Sequence, residues 1–262
     1  MSKPKISNNG QRIYESAQQA FEWLYGDIIL SGEKTEQGTL GLYDIGFYIT
    51  RPKQNKILTP WRAWNEHYAE REWEWYLSHS RDVSELQKHA PTWKKMHNGD
   101  NQVNSNYGWQ WSRNQQLKKV IKQLEQNWNT RQAWITLFDG KEKDDYFFDT
   151  PCTLNIGFDI REVDCRLFLD MTVLMRSNDL IYGFCNDQYC FSKLQQQVVS
   201  NLNLDLAFRP EAFELFENGK VVEVGEYYHY AHNMHIYLPK EKVYSKSIND
   251  KIAQDICDLR RR

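Results

Sequence analysis

The chain has 262 residues, and its 33 basic and 35 acidic side chains nearly cancel, which gives a formal net charge of -2 at pH 7. Because the two signs are interspersed, no broad cationic field is expected for a nucleic-acid backbone, and we predict no nucleic-acid partner. No apolar run reaches membrane-spanning length, and the N-terminal sequence MSKPKISNNGQR is polar where a secretory signal would be apolar. These features predict a cytoplasmic protein without a membrane partner.

The five cysteines stand at positions 152, 165, 185, 190 and 257, an odd number without a CxxC pair. This spacing argues against a disulfide framework and against a zinc ribbon. Free thiols in a reducing compartment are the simpler interpretation.

No Pro/Gly/Ser-rich linker and no internal repeat divides the chain, so residues 1–262 are predicted to form one domain. Apolar residues at helical spacing predict an opening helix over 11–25. Glycines among β-branched and aromatic residues predict two or three strands over 28–50. The remaining elements of this half are helices at 61–77 and 114–127, separated by a polar surface excursion at 81–106.

The second half of the chain combines strand and helix patterns. Residues 164–175 alternate apolar and mixed positions with the period of two that is typical of a sheet. Asp187 stands where a helix N-cap is expected. The buried side of that helix is predicted to consist of Phe191, Leu194, Val198 and Leu202. Further strands are predicted at 132–138, at 152–160 and as a pair near 220–237, with a last helix near 241–258. This order predicts an α+β fold.

One predicted helix carries a carboxylate in an otherwise aromatic stripe. Glu72 lies on the face formed by Trp61, Trp64, Tyr68 and Trp75, by steps of three and four residues. Such a group is either salt-bridged and structural, or held in a low-dielectric pocket with a raised pKa and able to transfer protons. Its position alone leaves both alternatives open.

Cys152 and the segment after residue 175 are the other candidates for chemistry. Cys152 is either an inert buried thiol or a nucleophile whose thiolate Arg176 stabilises. Arg176 and Ser177 are either a solvated strand end or a phosphate-binding pair, since a guanidinium can contact a phosphate through two donors. Asp187 is either only a helix cap or a ligand-binding carboxylate.

Three histidines recur every three residues, at His229, His232 and His235. On a helix this spacing could indicate a metal site. On a strand, however, His232 points to the opposite face from the other two. We therefore expect no metal.

Three segments, taken in order, carry a resemblance to a known family: DTPCTLNIGF at 149–158, MRSNDLIYGFCNDQY at 175–189 and HIY at 235–237. They resemble the thymidylate synthase superfamily. A second set is most similar to the phage deoxycytidylate hydroxymethylases within it: EREWEWYLSHS at 70–80, VNSNYGW at 103–109 and MRSND. The resemblance covers residues 60–240.

The resemblance implies a thymidylate synthase-like α+β fold, with a mixed β-sheet packed with helices and a sheet face that forms a two-fold dimer interface. Members form a thiolate adduct with a pyrimidine nucleotide and add a one-carbon unit from a folate. For the hydroxymethylases the substrates are dCMP and 5,10-methylenetetrahydrofolate, and hydration completes the reaction. The chain is therefore expected to be a homodimeric transferase of modified-nucleotide synthesis, located in the host cytoplasm if phage-encoded.

The resemblance assigns the chemistry to Cys152, which would attack carbon 6 of the pyrimidine and make carbon 5 nucleophilic. Thr153 follows it, as in the hydroxymethylases, where thymidylate synthases have histidine. Glu72 and Tyr107 would line the region of water addition, which favours the raised-pKa alternative for Glu72. Asp187 matches the base-reading position, where thymidylate synthases have asparagine. An ionised carboxylate only accepts hydrogen bonds and suits the 4-amino group of cytosine.

Phosphate binding is implied for Arg176 and Ser177, with Arg131 reaching the site from the partner subunit. The second arginine of that family pair is Gln132 here. This departure implies weaker phosphate binding or compensation elsewhere, and Lys34 is a poorly aligned substitute.

Four further positions are implied to bind the sugar and the folate. His235 and Tyr237 match the pair that holds the sugar 3′-hydroxyl. Asp179 would accept hydrogen bonds from the pterin, and Gly183 would leave room beside its ring.

The enzymatic alternatives are a dCMP methylase, a dUMP hydroxymethylase or a thymidylate synthase, because the choice between water and hydride depends on pocket hydration. The non-enzymatic alternative is a catalytically idle relative that binds nucleotide or RNA. The intact set of candidate residues argues against that loss: Cys152, Glu72, Arg176, Ser177 and Asp187. The basic tail at 260–262 also departs from the apolar C-terminus with which thymidylate synthases close over folate.

Overall fold

The computed structural model describes residues 3–97, 99–140, 149–208 and 221–259; of residues 205–208 only the backbone is described. The basic tail at 260–262 lies outside these residues. The described strands are, in chain order, β1 (Lys5–Ile6), β2 (Arg12–Tyr14), β3 (Glu33–Lys34), β4 (Thr39–Ile49), β5 (Trp134–Thr136), β6 (Thr153–Val163), β7 (Arg166–Met175), β8 (Asn178–Asp179) and β9 (Val222–Tyr237). They form one sheet in the order β1-β2-β4-β9-β7-β6-β5, with β3 paired to β4 and β8 to β9.

Strand β9 joins the two halves of the sheet. It runs antiparallel to β4, with Leu40 opposite Ile236, and parallel to β7, with Val173 opposite His229. The sheet is therefore mixed, as predicted. Its parallel neighbours β7 and β9 are joined through the long helix that follows β8, in keeping with the need for a crossover between parallel strands.

Helices cover the core side of this sheet. In chain order they are α1 (Ala17–Ser31), α2 (Glu66–Leu77), α3 (Tyr107–Ser112), α4 (Gln116–Gln126), α5 (Cys185–Phe208) and α6 (Lys246–Leu259). The predicted inner side of α5 is confirmed, since its apolar residues are fully buried: Phe191, Leu194, Val198 and Leu202. Burial of each such side chain contributes roughly 1.5–3 kcal/mol, so this helix is held chiefly by tertiary packing. Among the described residues, no helix is long and apolar enough to cross a membrane.

The predicted strand pair near 220–237 is wrong, because the chain forms one strand of sixteen residues, β9. Gly225 allows a close approach within this strand, since a Cβ at this position would lie 2.1 Å from Asp170 Oδ1. The glycine thus accommodates a side chain of β7 beside β9.

The predicted opening helix at 11–25 is also wrong at its start. Residues 12–14 form β2, in which Ile13 lies opposite Tyr48 of β4. The helix begins after Ser16, whose side chain accepts a hydrogen bond from Gln19 N, and runs on to Ser31. The apolar spacing matched a helix, but sheet pairing and the Ser16 cap decide the boundary. The region 28–50 consequently holds two strands, β3 and β4, which begin later than predicted.

Helix α2 begins later than the predicted 61–77. Asn65 caps it by accepting from Tyr68 N at 3.2 Å, and Ala63 just before it has the left-handed φ of 48°. Trp61 and Trp64 therefore lie outside the helix, although both pack against the core. The aromatic stripe around Glu72 is shorter than the sequence indicated.

Asp187 is not a helix N-cap. A π-helical turn, Leu180–Phe184, precedes α5, and Asp179 caps that turn by accepting from Ile181 N at 2.9 Å. Asp187 lies inside the first turn of α5, two residues after its start. Its side chain is thus available to the cavity described below, and the prediction of a cap is corrected.

The excursion at 81–106 is more ordered than its polar composition indicated. Val83, Leu86 and Val103 form a small buried cluster against which Trp75 and Trp93 pack. This cluster fixes the segment beside the end of α2 and, with it, one wall of the cavity.

Candidate active site

One large cavity, of about 960 Å³, lies where α2, the end of β7, the π-helical turn and β9 converge. This volume is at the upper end of the range of roughly 300–1,000 Å³ that is typical of small-molecule sites. All but one of the predicted site residues line it: Glu72, Tyr107, Cys152, Arg176, Ser177, Asp179, Gly183, Asp187, His235 and Tyr237. The exception is Arg131.

Cys152 lies in the cavity wall, at the end of the loop before β6. Arg176 donates from Nε to Pro151 O at 3.0 Å and from Nη2 to Thr150 O at 2.7 Å, and its Nη2 lies 3.6 Å from Cys152 Sγ. Burial raises the pKa of the Cys152 thiol to about 11, against the opposing effect of the Arg176 charge. The thiol is therefore protonated at neutral pH when the cavity holds no ligand, and the arginine is the group placed to favour its thiolate.

The loop that carries Cys152 is tied to the start of α3 by Asp149. The buried carboxylate of Asp149 accepts from Asn104 N at 2.7 Å and from Ser105 N at 2.6 Å, and Ser105 Oγ donates to it at 2.5 Å. Burial raises the pKa of Asp149, while these hydrogen bonds lower it. Sequence reasoning missed this role, although the residue stands in the quoted motif DTPC.

The sequence left open whether Glu72 is salt-bridged or held in a low-dielectric pocket with a raised pKa. The structure supports the pocket. Tyr76 OH donates to its Oε1 at 3.2 Å, and Oε2 is buried without a hydrogen-bond partner. Among the described residues it makes no salt bridge. Burial, followed by the negative charge of Asp187, raises the pKa of Glu72 to about 8. A carboxyl group with this pKa can exchange a proton near neutral pH.

Asp187 lines the same cavity as Glu72 and reaches it from α5. Asn178 Nδ2 donates to Asp187 Oδ2 at 2.8 Å. Burial raises the pKa of Asp187 to about 7, although the hydrogen bond from Asn178 lowers it. Gly183 packs beside this pair, since a Cβ there would lie 2.9 Å from Asn178 Nδ2 and 3.3 Å from Asp187 Oδ2. Space at Gly183 is thus required by the Asn178–Asp187 pair itself.

Asp179 is already engaged by the protein. Besides capping the π-helical turn, its Oδ1 accepts from Tyr244 OH at 2.5 Å, and burial raises its pKa. Next to it, His235 is buried with Nδ1 unpartnered, and its ring lies 5.2 Å from that of Tyr237. Burial lowers the pKa of His235, so the ring is neutral at pH 7 and one of its nitrogens can accept a hydrogen bond.

The three histidines of β9 lie on opposite faces of the strand, as its period of two predicted. His229 is buried and hydrogen-bonds through Nδ1 to Tyr227 OH at 2.7 Å, whereas His232 is exposed and pairs with Asp44 at 2.9 Å. Over the described part of the chain, no group of three or more His, Cys, Asp and Glu side chains is arranged to hold a metal ion.

Arg131 and Lys34, the two residues considered for additional phosphate contacts, do not line the cavity of their own chain. Arg131 is exposed in the loop before β5, as is its neighbour Gln132. Lys34 lines a separate small groove with Leu40 and Ile256, so it does not compensate for Gln132 within the same subunit.

A sequence profile of the family described as Thymidylate synthase matches residues 24–208, which is more than half of the chain. The chain belongs to the thymidylate synthase family. Its fold agrees with this, because it resembles thermostable thymidylate synthase A from Bacillus subtilis with a TM-score of 0.59 at 20% identity, over 91% of this chain and 83% of that one.

Curated relatives within the family carry two different descriptions. The deoxycytidylate 5-hydroxymethyltransferase of Enterobacteria phage T4 is 32% identical over 149 residues, 54% of this chain and 59% of the relative. The same figures hold for the enzyme of phage T2. The thymidylate synthase of Streptococcus suis is 26% identical over 166 residues, 62% of this chain and 53% of the relative. The matches thus span less than two thirds of these relatives, and the resemblance to the phage hydroxymethylases is confirmed.

Several residues of this family member's cavity were missed by sequence reasoning. Arg62 is buried, donates from Nε to Ile181 O at 2.5 Å and stacks 5.1 Å from the ring centre of Tyr182. Trp93 lines the cavity and donates from Nε1 to Tyr68 OH at 2.9 Å. No local pattern marks these residues, because each reaches the cavity through a different element. Asn178 was missed although it stands in the quoted MRSND segment.

Proposed function

We propose that this member of the thymidylate synthase family is a dCMP 5-hydroxymethyltransferase that acts as one domain over residues 1–262. Members of the family are folate-dependent one-carbon transferases. The observation that carries the proposal is Asp187, a buried carboxyl in the same cavity as the Cys152 thiol. The 32% identity to the phage T4 enzyme supports it.

Cys152 is the proposed nucleophile. Its thiolate would form a bond from Sγ to carbon 6 of the pyrimidine, and the electron pair of the carbon 5–carbon 6 double bond would make carbon 5 nucleophilic. The pKa of the Cys152 thiol is about 11, so the thiolate needs to be stabilised. The positive charge of Arg176, which lowers this pKa, favours the thiolate. Arg176 and Ser177 would also bind the 5′-phosphate at the cavity wall.

Asp187 is the proposed reader of the base. A carboxylate accepts from the 4-amino group of cytosine, and a carboxyl with a pKa of about 7 can share a proton with the adjacent ring nitrogen. His235 and Tyr237 are the proposed contacts to the sugar 3′-hydroxyl, and the unpartnered Nδ1 of His235 leaves a polar atom for that contact.

Glu72 and Tyr107 are the proposed residues for the hydration step. Glu72 Oε2 makes no hydrogen bond of normal geometry among the described residues, and the pKa of about 8 allows the carboxyl to move a proton to or from water. Tyr107 is buried at the start of α3 and lines the same cavity. A polar carboxyl at this position supports water rather than hydride as the last reactant.

The cavity also fits the proposed co-substrate, 5,10-methylenetetrahydrofolate. The cavity volume is about 960 Å³, and the aromatic rings of Trp93 and Tyr182 are among its walls. When bound, the folate would supply the one-carbon unit for carbon 5. Asp179, through the oxygen that Tyr244 does not occupy, and Gly183 are the proposed contacts to its pterin.

We further propose a two-fold homodimer in which Arg131 completes the phosphate site of the partner. Arg131 is exposed and outside the cavity of its own subunit, which is the placement that such a contribution requires. We expect the protein to act in the cytoplasm on free nucleotides, without nucleic acid or membrane.

The deciding experiment is the mass of the product formed from dCMP and methylenetetrahydrofolate by the purified chain. We expect hydroxymethyl-dCMP, which is heavier than methyl-dCMP by one oxygen. Parallel reactions with dUMP and with the Cys152→Ser variant serve as controls. A methylated product, or turnover of dUMP alone, would contradict the proposal.

A further inference from the structure

We infer that Asn178 is a positioning residue for substrate choice: its side-chain amide holds Asp187 Oδ2 as an acceptor and leaves Oδ1 as the oxygen that can carry a proton toward the substrate. This inference rests on the proposed base-reading role of Asp187. To the proposed base-reading residue Asp187 it adds Asn178, whose side chain does not contact the base but orients Asp187.

The geometry singles out one oxygen of the carboxyl. Asn178 Nδ2 donates to Asp187 Oδ2 at 2.8 Å, and no other hydrogen bond to this carboxyl is found among the described residues. A side-chain NH₂ group only donates, so the oxygen that faces it must accept. When Asp187 takes up its proton, the proton therefore belongs on Oδ1.

Fixing the proton in this way matters for base selection. Cytosine presents an exocyclic donor beside a ring acceptor, whereas uracil presents an exocyclic acceptor beside a ring donor. A carboxyl group whose two oxygens could exchange roles would match either base. Once Oδ2 is held as the acceptor, the order of donor and acceptor along the carboxyl is set, and only one of the two bases matches it.

The burial of Asn178 supports a role beyond folding. Asn178 is only 2% exposed, and its own Oδ1 is buried without a hydrogen-bond partner. An unpaired buried carbonyl destabilises the fold, so an apolar residue would serve packing better at this position. The glycine at position 183 also supports a role for this hydrogen bond, because any Cβ there would press on both Asn178 Nδ2 and Asp187 Oδ2.

Two variants disturb the pair from opposite sides. Asn178→Leu removes the donor and keeps the number and branching of the side-chain heavy atoms, and Gly183→Ala inserts a Cβ at 2.9 Å from Nδ2. Gln195→Met is the control for the first, since Gln195 is also a buried amide with an orphaned oxygen, but it donates to Leu169 O away from the cavity. Gly26→Ala is the control for the second, because a Cβ at Gly26 meets no atom within 4 Å.

The measurement is the ratio of dissociation constants for dCMP and dUMP, obtained by calorimetry on the full-length chain. We expect the preference for the favoured base to fall about tenfold in Asn178→Leu and Gly183→Ala, while both controls keep the parental ratio.

Because loss of the hydrogen bond raises the pKa of Asp187, the pH dependence of dCMP binding should also move to higher pH in Asn178→Leu. Other ionisable groups near Asp187 are unchanged in this variant: Glu72 and Tyr76 from α2, Tyr107 from α3, Cys152 from the loop before β6, Asp179 from β8, Tyr227 from β9, and Cys185 and Cys190 from α5.

An unchanged ratio in a folded Asn178→Leu protein would overturn the inference, as would a parent that binds both nucleotides equally. If Asn178→Leu does not fold, Gly183→Ala decides in the same way. A parent that prefers dUMP would overturn the proposed cytidylate function. In that case a ratio that falls toward unity in the variants still supports the role of Asn178, so the two failures are distinguishable.

Discussion

Replacement of Glu72 by glutamine should make the protein more stable and less active at neutral pH. The folded state favours the protonated form of Glu72, whose pKa rises to about 8 through burial and the charge of Asp187. The unfolded chain ionises near the ordinary value of 4.5. The stability that Glu72 contributes is therefore complete below pH 4.5 and is lost as the pH rises toward about 8. The glutamine of the Glu72→Gln variant would carry no such dependence, and its amide oxygen can still accept from Tyr76.

The size of this effect follows from the pKa. One pKa unit is worth about 1.4 kcal/mol, so the rise from 4.5 to about 8 corresponds to on the order of 5 kcal/mol at most. Between pH 5 and pH 7.5, the free energy of unfolding of the parent should fall by about 3 kcal/mol relative to the Glu72→Gln variant. Turnover should fall by about 10²- to 10⁴-fold, because the amide cannot transfer a proton.

Urea unfolding of both proteins at several pH values between 5 and 7.5 tests this reasoning. Asp187 titrates in the same range and is present in both proteins, so the difference between them reports Glu72 together with its interaction with Asp187. Glu74→Gln, an exposed position on the same helix, is the matched control and should follow the parent. If the unfolding free energies of the parent and Glu72→Gln run parallel across this range, Glu72 does not have the buried environment described here.

Three further outcomes are expected. Cys152→Ser should abolish turnover while nucleotide binding and fold are retained, because a hydroxyl is far less acidic than a thiol; steady-state rates near those of the parent would contradict the covalent step. Mixed dimers of inactive Arg131→Ala and inactive Cys152→Ser chains should regain activity, and failure to complement after verified subunit exchange would refute the shared site. Asp187→Asn should shift the ratio of kcat/KM from dCMP toward dUMP by roughly ten- to a hundredfold, since a mismatched polar group costs about 1–3 kcal/mol. A ratio that does not move would remove Asp187 from base recognition.

Much of the candidate site could be predicted from sequence because its residues stand in short motifs. Cys152 follows Pro151, and Arg176 and Ser177 precede Asp179 in one continuous segment. Such motifs carry residue type and spacing, and the structure brings these residues to a single cavity. The period of two in β7 and the inner side of α5 were equally readable, since both depend on the alternation of apolar residues along one element.

Element boundaries and the electrostatics of the site depended on contacts between distant parts of the chain. Ile13 fits a helix by spacing, yet pairing with Tyr48 places it in the sheet, and the strand pair predicted near 220–237 is the single strand β9. Local preferences of this kind are small compared with sheet pairing and burial.

The sequence by itself determined the family, the nucleophile candidate and the presence of a carboxylate at position 187. Only the tertiary structure decided that Glu72 is a buried acid, that Asp187 lies inside a helix beyond a π-helical turn, and that Asn178 donates to it. The physical reason is that a pKa and a hydrogen-bond partner depend on every group within a few ångströms. In this protein those groups come from α2 and from the continuous β8–α5 segment, and α2 lies far from that segment in the chain.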